Sequence, residues 1–234
     1  MSNMKKLIFT FTFFLLCLFI IGCTNEYKQT AQKFDSKYAT TVFSIWDKLD
    51  LELENAKTHE DDMKITDGIN KSSIPNTTKL LAKLEKENIP ANLEPMKLSL
   101  TRYCHNLVVV LNELADTVHS GTKNGTKIQE LHADITKLYE ERLRYNNEYS
   151  IVNNGASSFE LTLDNYRKIE IGDNYRSVIS KFKMPGNLSS SYTHDMTLIG
   201  KRTLDTYEWE FNSGYVRIVF ENGKVHMLEQ RNLK

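Results

Sequence analysis

The stretch "TYEWEFNSGYVRIVFENGKVHM", Thr206–Met227, decides the fold of the C-terminal part. Tyr207, Trp209 and Phe211 alternate with Glu208 and Glu210, the period of a half-buried strand. Further on, Asn222-Gly223 is a pair that suits a type I′ turn, whose two central residues both need positive φ. Such a turn pairs Glu221 with Lys224, Phe220 with Val225 and Ile218 with Met227. Directly opposed residues share a face, so Val216, Ile218, Phe220, Val225 and Met227 are expected to form one apolar surface. For the preceding strand to join it, Phe211 should oppose Val216 and Trp209 should oppose Ile218. The connecting turn is then Ser213-Gly214 or the four residues 212–215, because a three-residue loop would send Trp209 to the wrong face. Trp209, Ile218 and Met227 should make a row across three strands.

Upstream of these strands lie "TLDNYRKI" and "DNYRSVISKF", which read as two short helices capped by Thr162 and Asp173, with Gly172 between them. "MPGN" then breaks the chain. Together, Tyr166-x-x-Ile169, Ile171-Gly172, "YRSVISKF", Pro185-Gly186, "TYEWEF" and "VRIVFENGKV" resemble, in order, the beta-lactamase-inhibitory-protein-like domains. That fold also occurs in the small lipoprotein of the outer-membrane barrel-assembly machinery. The resemblance covers about a third of the chain, roughly Leu163 to Leu228. It implies a helix pair covering an antiparallel sheet, and a domain that binds proteins or stabilises assemblies without catalysis. Gly172, Pro185, Trp209, Asn222 and Gly223 are carried over as fold determinants. The sequence departs from the family in "IGDN" before the second helix and in Lys183-Met184 ahead of Pro185. The inhibitor that names the family has two such domains in tandem, and this chain has one.

The first half is helical by its spacing. Phe34, Tyr38, Val42, Ile45, Leu49, Leu53 and Ala56 recur at helical intervals with no glycine or proline among them. A polar break follows at Thr58–Asp62, then a weaker helix with Met63, Ile65 and Ile69. "SSIP" precedes a short helix with Leu80, Leu81 and Leu84, and "NIPANLEP" forces a corner. Leu93, Met96, Leu100, Tyr103, Leu107, Val110, Leu114 and Val118 form the clearest stripe. It ends at "SGTKNGT". The last helix carries Ile128, Leu131, Ile135, Leu138, Tyr145 and Tyr149, with Arg142 at the one broken step. "SIVNNGASS" reads as a linker. The expected class is therefore α+β: an antiparallel helical bundle over 23–150, a linker over 151–161, and a two-helix plus antiparallel-sheet domain over 162–234.

The N-terminus carries the strongest statement about location. Lys5 and Lys6 precede an apolar run from Leu7 to Ile21 that is short for a membrane span of about 20 residues. The run closes on "IIGC", which resembles the bacterial lipobox. Residues 1–22 are then a lipoprotein signal peptide, cleaved between Gly22 and Cys23, with a diacylglycerol on the Cys23 sulfur. Palmitate-length chains at about 0.8 kcal/mol per buried methylene would hold the body on the extracytoplasmic face of a cell membrane. In a Gram-negative source that could be the outer membrane, since Thr24 stands where an aspartate would signal inner-membrane retention. The alternative is an uncleaved N-terminal anchor.

Charge excludes one large class of partners. The 30 basic residues balance 30 acidic ones, and removing Lys5 and Lys6 leaves 28 basic. No basic excess is available for a phosphate backbone, so no nucleic acid is expected. With Cys17 in the signal and Cys23 acylated, Cys104 has no disulfide partner and reads as a small buried residue. His59, His105, His119 and His132 show no metal spacing, and "HEDD" and "LYEER" read as solvated faces. His194-Asp195 and His226 sit on strands without a nucleophile motif, and no phosphate loop, dinucleotide fingerprint or hydrolase elbow is present. Tyr103, Tyr145 and Tyr149 read as core and rim. No cofactor or metal is expected. The leading expectation is a non-catalytic envelope lipoprotein that docks a protein or envelope polymer. The alternatives are an inhibitor or ligand-capturing lipoprotein and, behind both, an envelope hydrolase.

Overall fold

The computed structural model describes residues 26–120, 125–196 and 200–234. Cys23 and the expected signal before it, Gly22 included, lie outside them. The architecture is α+β, with the helices mostly in the N-terminal part and a four-stranded antiparallel sheet at the C-terminal end.

Helix α1 (26–34), a π-helical segment at Asp35–Ala39 and α2 (Thr40–Asn55) follow one another without a break. Phe34, Tyr38, Val42 and Leu49 of the expected stripe are buried, but so are Phe43 and Trp46, while Ile45 is half-buried. A π turn holds an extra residue, which rotates the downstream face. The inward position thus passes from Ile45 to Trp46.

The expected polar break is narrower than its composition suggests. Thr58 accepts from the Asp61 amide at 3.2 Å, and Asp61 accepts in return from the Thr58 amide at 3.0 Å. This capping box makes "HEDD" the first turn of α3 (His59–Gly68) rather than a loop. "SSIP" does not interrupt the helix either. A second π segment, Ile69–Ser73, leads directly into α4 (Ile74–Glu85), with Pro75 in its first turn. The wider turn accommodates a residue with no amide hydrogen to donate.

After a 3₁₀ turn at Ala91–Leu93 come α5 (Glu94–Ser120) and α6 (Gly125–Asn154). Leu93, Met96, Leu100, Tyr103, Leu107, Val110 and Leu114 are all buried, as their spacing requires. Glu113 meets Asp134, and Arg102 lies near Glu141, so α5 and α6 run antiparallel. Ile128, expected inside, is exposed at the start of α6. That helix also runs through Asn154, into the stretch read as a linker, and stops at Gly155 with φ +72°. The following residues are tied back to it: Asn147 Oδ1 accepts from Ser157 Oγ at 2.5 Å and from the Ser158 amide at 3.1 Å.

Short helix α7 (Leu163–Tyr166) is capped by Thr162, as expected. The cap of α8 (Tyr175–Phe182) is Asn174 rather than Asp173, with Asn174 Oδ1 accepting from the Ser177 amide at 2.8 Å. Asp173 instead takes Lys181 Nζ at 2.6 Å and the Glu170 amide at 3.0 Å, closing the turn that Gly172 (φ +95°) begins.

The sheet is a meander of β1 (Asn187–Met196), β2 (Gly200–Phe211), β3 (Gly214–Glu221) and β4 (Lys224–Arg231). The Asn222-Gly223 turn is as expected, with φ +50° and +76°, and it pairs Glu221 with Lys224 and Phe220 with Val225. Beyond it the expected register fails. A bulge at His226 sets Val219 opposite Met227 and Ile218 opposite Leu228, so Met227 faces solvent and Leu228 takes the inner place. The β2–β3 register is two residues away from the expected one. Trp209 opposes Val216, Tyr207 opposes Ile218 and the turn is Asn212-Ser213, with Asn212 at φ +55°. A two-residue shift preserves the face, so the apolar set of β2 and β3 stays inward although the row Trp209–Ile218–Met227 does not exist.

The turn is clamped from a third strand: Thr203 donates its amide to Asn222 Oδ1 at 2.9 Å and accepts the Asn222 amide at 2.8 Å. Asn222→Ala is expected to cost about 1–2 kcal/mol, from the lost hydrogen bond and the left-handed backbone. Urea midpoints would show it, and Asn222→Gly should recover only the backbone part.

Trp209, Val216, Ile218, Phe220 and Val225 pack under Val178, Ile179 and Phe182 of α8. Leu143 of α6 belongs to this second core as well, with Tyr139 against it, while Leu131, Leu138 and Tyr145 of the same helix belong to the first. One helix therefore lines both cores.

Candidate functional site

The register fixes which side chains the sheet turns away from α8. Thr206, Val219 and Met227 form one outward row, and Glu208, Arg217 and Glu229 the next. Leu204 opposes Tyr192 on one side and Glu221 on the other. Tyr192 is 59% exposed and Met227 53%, an uncommon setting for such side chains on adjacent rows, while Leu204 and Val219 are half-buried between them. The apolar strip is flanked by charge. Arg217 Nε lies 3.6 Å from Glu208, and Arg231 Nη2 lies 2.6 Å from Glu229. At the other end Glu221 receives Arg202 Nη2 at 2.9 Å and faces His226 Nδ1 at 3.1 Å. An apolar centre with a charged, hydrated border is the anatomy of a protein-docking surface.

From the sequence, an exposed aromatic patch opposite Trp209, around Val219 and Leu228, would be the mark of a docking surface. Val219 is on the open face, but Leu228 is on the covered one, because of the bulge. Tyr192 and Leu204 were missed. The register of β1 follows from β2, and "LSSSYTHDM" has no apolar alternation to announce it.

The five fold determinants lie together around the sheet and its turns. Trp209 is fully buried and donates Nε1–H to the Met184 carbonyl at 3.0 Å. Pro185 is buried beside it. Gly186 was not singled out, yet a Cβ there would stand 2.6 Å from the Trp209 ring. The Gly172 amide donates to the Val225 carbonyl at 2.8 Å, which joins the α7–α8 turn to β4. Tyr175 ties three parts together. Its hydroxyl donates to Glu140 of α6 at 2.7 Å and accepts the Gly186 amide at 3.0 Å, and its ring lies 4.2 Å from that of Tyr207. Burial pushes the Glu140 carboxyl up, opposed by Tyr175 and by the charge of Arg144.

Among the described residues no three His, Cys, Asp or Glu side chains gather as a metal site, and no helix is long and apolar enough to cross a membrane. His105 lies 3.5 Å from Glu85 on the bundle surface. The side chains of His119, His194 and Asp195 are outside the described residues. Tyr103 and Tyr145 are core, and Tyr149 is at its rim.

Cys104 is fully buried, and burial pushes its thiol up to about 12. It should resist a thiol-specific reagent in the native protein and react on unfolding, since the thiolate is the nucleophile. Rapid labelling without denaturant would contradict that.

Arg142, the broken step of the last helical stripe, does face inward. It forms a two-point ion pair with Asp47 of α2, at 2.5 and 3.0 Å, and its guanidinium stands 4.6 Å over the Phe43 ring. A charged residue on an otherwise apolar stripe was the signal that a polar contact lay there.

Compared with protein-family models, curated proteins and solved structures, the chain matches none.

Proposed function

We propose that this protein is a non-catalytic lipoprotein of the bacterial cell envelope. A diacylglycerol on Cys23 tethers it to the extracytoplasmic face, and the open face of its sheet docks an envelope protein. The observation that carries the docking reading is the strip on the face away from α8, with Tyr192 and Met227 exposed, Leu204 and Val219 half-buried between them, and ion pairs at its border. The lipobox-like "IIGC" and the resemblance to a protein-binding domain support the same reading.

A photoreactive amino acid at Met227, in protein expressed in its native membranes, tests it. The expected result is one cross-linked species of defined mass. The same group at Leu98, which is 50% exposed on α5, should not yield it. Absence of any adduct from Met227, or equal adducts from both positions, would sink the docking reading.

A further inference from the structure

Where α2, α5, α6 and α8 meet, the structure forms a partly open cavity of about 170 Å³, whose lining includes the exposed Asp47 and Arg176. Trp46 and Tyr139 supply aromatic wall, and the ion pair of Arg142 and Asp47 closes one side. Tyr103 from α5 also lines it. Its side chain is 1% exposed, and its hydroxyl has no hydrogen-bond partner among the described residues. That hydroxyl feels Arg142, Asp47 and Asp50, three charged groups that line the same cavity, and burial holds it protonated. A buried hydroxyl left unpaired is costly, and native proteins rarely tolerate it without water or a ligand to satisfy it.

The remaining charges narrow the choice. Asp50 on α2 and Arg176 on α8 also line the cavity, and neither makes a hydrogen bond or ion pair among the described residues. Arg176 is laid over the Tyr139 ring at 5.0 Å. Since Arg142 and Asp47 neutralise each other, the cavity keeps one unspent negative charge and one unspent positive charge. A lone anion would satisfy Arg176 but face Asp50, and a lone cation would do the reverse. A cavity of about 150 Å³ can hold a benzene-sized body, so the space here suits one small side chain.

We propose that this cavity binds a free α-amino acid. Its ammonium is matched to Asp50, its carboxylate to Arg176, its side chain to the space between Trp46 and Tyr139, and a polar atom of the ligand or its bound water to the Tyr103 hydroxyl. The site draws on both halves of the chain, a common place for ligand sites. It is distinct from the docking face and does not depend on it.

The test uses the full-length protein purified in detergent and titrated calorimetrically with each of the twenty common amino acids. At least one should bind with Kd below about 1 mM. Its decarboxylated amine and its N-acetyl form should bind at least about tenfold more weakly, as loss of a charge-assisted contact requires. Asp50→Asn and Arg176→Gln, at polar positions outside both apolar cores, should each weaken binding by a similar factor without moving the thermal midpoint. Tyr103→Phe should weaken it while leaving the fold intact by circular dichroism. No binding below about 1 mM, or binding indifferent to both charge variants, overturns the proposal.

Discussion

Trp209→Ala should lower the stability of the whole chain by about 3–5 kcal/mol, the range for deleting a large buried aromatic. The indole is fully buried, its ring lies 5.6 Å from that of Phe182 and 6.1 Å from that of Tyr175, and Nε1–H satisfies the Met184 carbonyl. Alanine would leave both a void and an unpaired carbonyl. Collapse to fill the void is limited, because β2 is held by strands on both sides. The variant also provides its own readout. The sequence has 2 tryptophans, so Trp46 in the helical half is the remaining fluorophore. Because α6 lines both cores, Trp46 fluorescence and far-ultraviolet circular dichroism should report one shifted transition in guanidinium. A loss under about 1.5 kcal/mol, or a Trp46 transition left at its wild-type midpoint, would contradict the packing described. Gly186→Ala should act in the same direction, since its Cβ would press on the same ring at 2.6 Å.

Cys23→Ala should have an equally large effect on location. The wild-type protein is expected in the membrane fraction with a mass increment for acyl chains on a chain starting at Cys23. The variant has no thiol at position 23 to accept a diacylglycerol, and should appear as an unprocessed precursor or in the soluble fraction. Two or more long chains give near-permanent attachment, so a processed variant without them should leave the membrane almost completely, while an unprocessed precursor is identified by its retained signal mass. A variant processed and retained like the wild type would remove the anchor from the reading.

The helical half was legible because burial there follows the sequence period. Seven of the eight stripe residues from Leu93 to Val118 are buried and Val118 is half-buried. What escaped was hydrogen bonding that composition does not advertise. The Thr58–Asp61 capping box turned a polar run into a helix start, and the π segments carried helices through positions that spacing alone would break or leave inward. In the sheet, the Asn222-Gly223 turn set its neighbouring pairs correctly, because the backbone demands positive φ at both residues. Three residues further on, the bulge at His226 overrode the parity argument, and Met227 and Leu228 exchanged faces. The β2–β3 turn was misplaced because Asn212 takes the left-handed conformation that glycine adopts more readily. As for the sites, Arg142 was visible as an anomaly, but its partner Asp47 and the nearby Tyr103, Asp50 and Arg176 come from four helices. No spacing within one segment could have joined them.

The helix Gly125–Asn154 behaves as a shared strut. A scissor cut after residue 150 would not release two self-sufficient modules: the sheet piece would forfeit Tyr139, Glu140 and Leu143, and the helical piece would bare the same side chains to water. Load applied at the strands must likewise pass along that strut towards the end where Asn153 meets Gln32, close in sequence to the expected membrane tether.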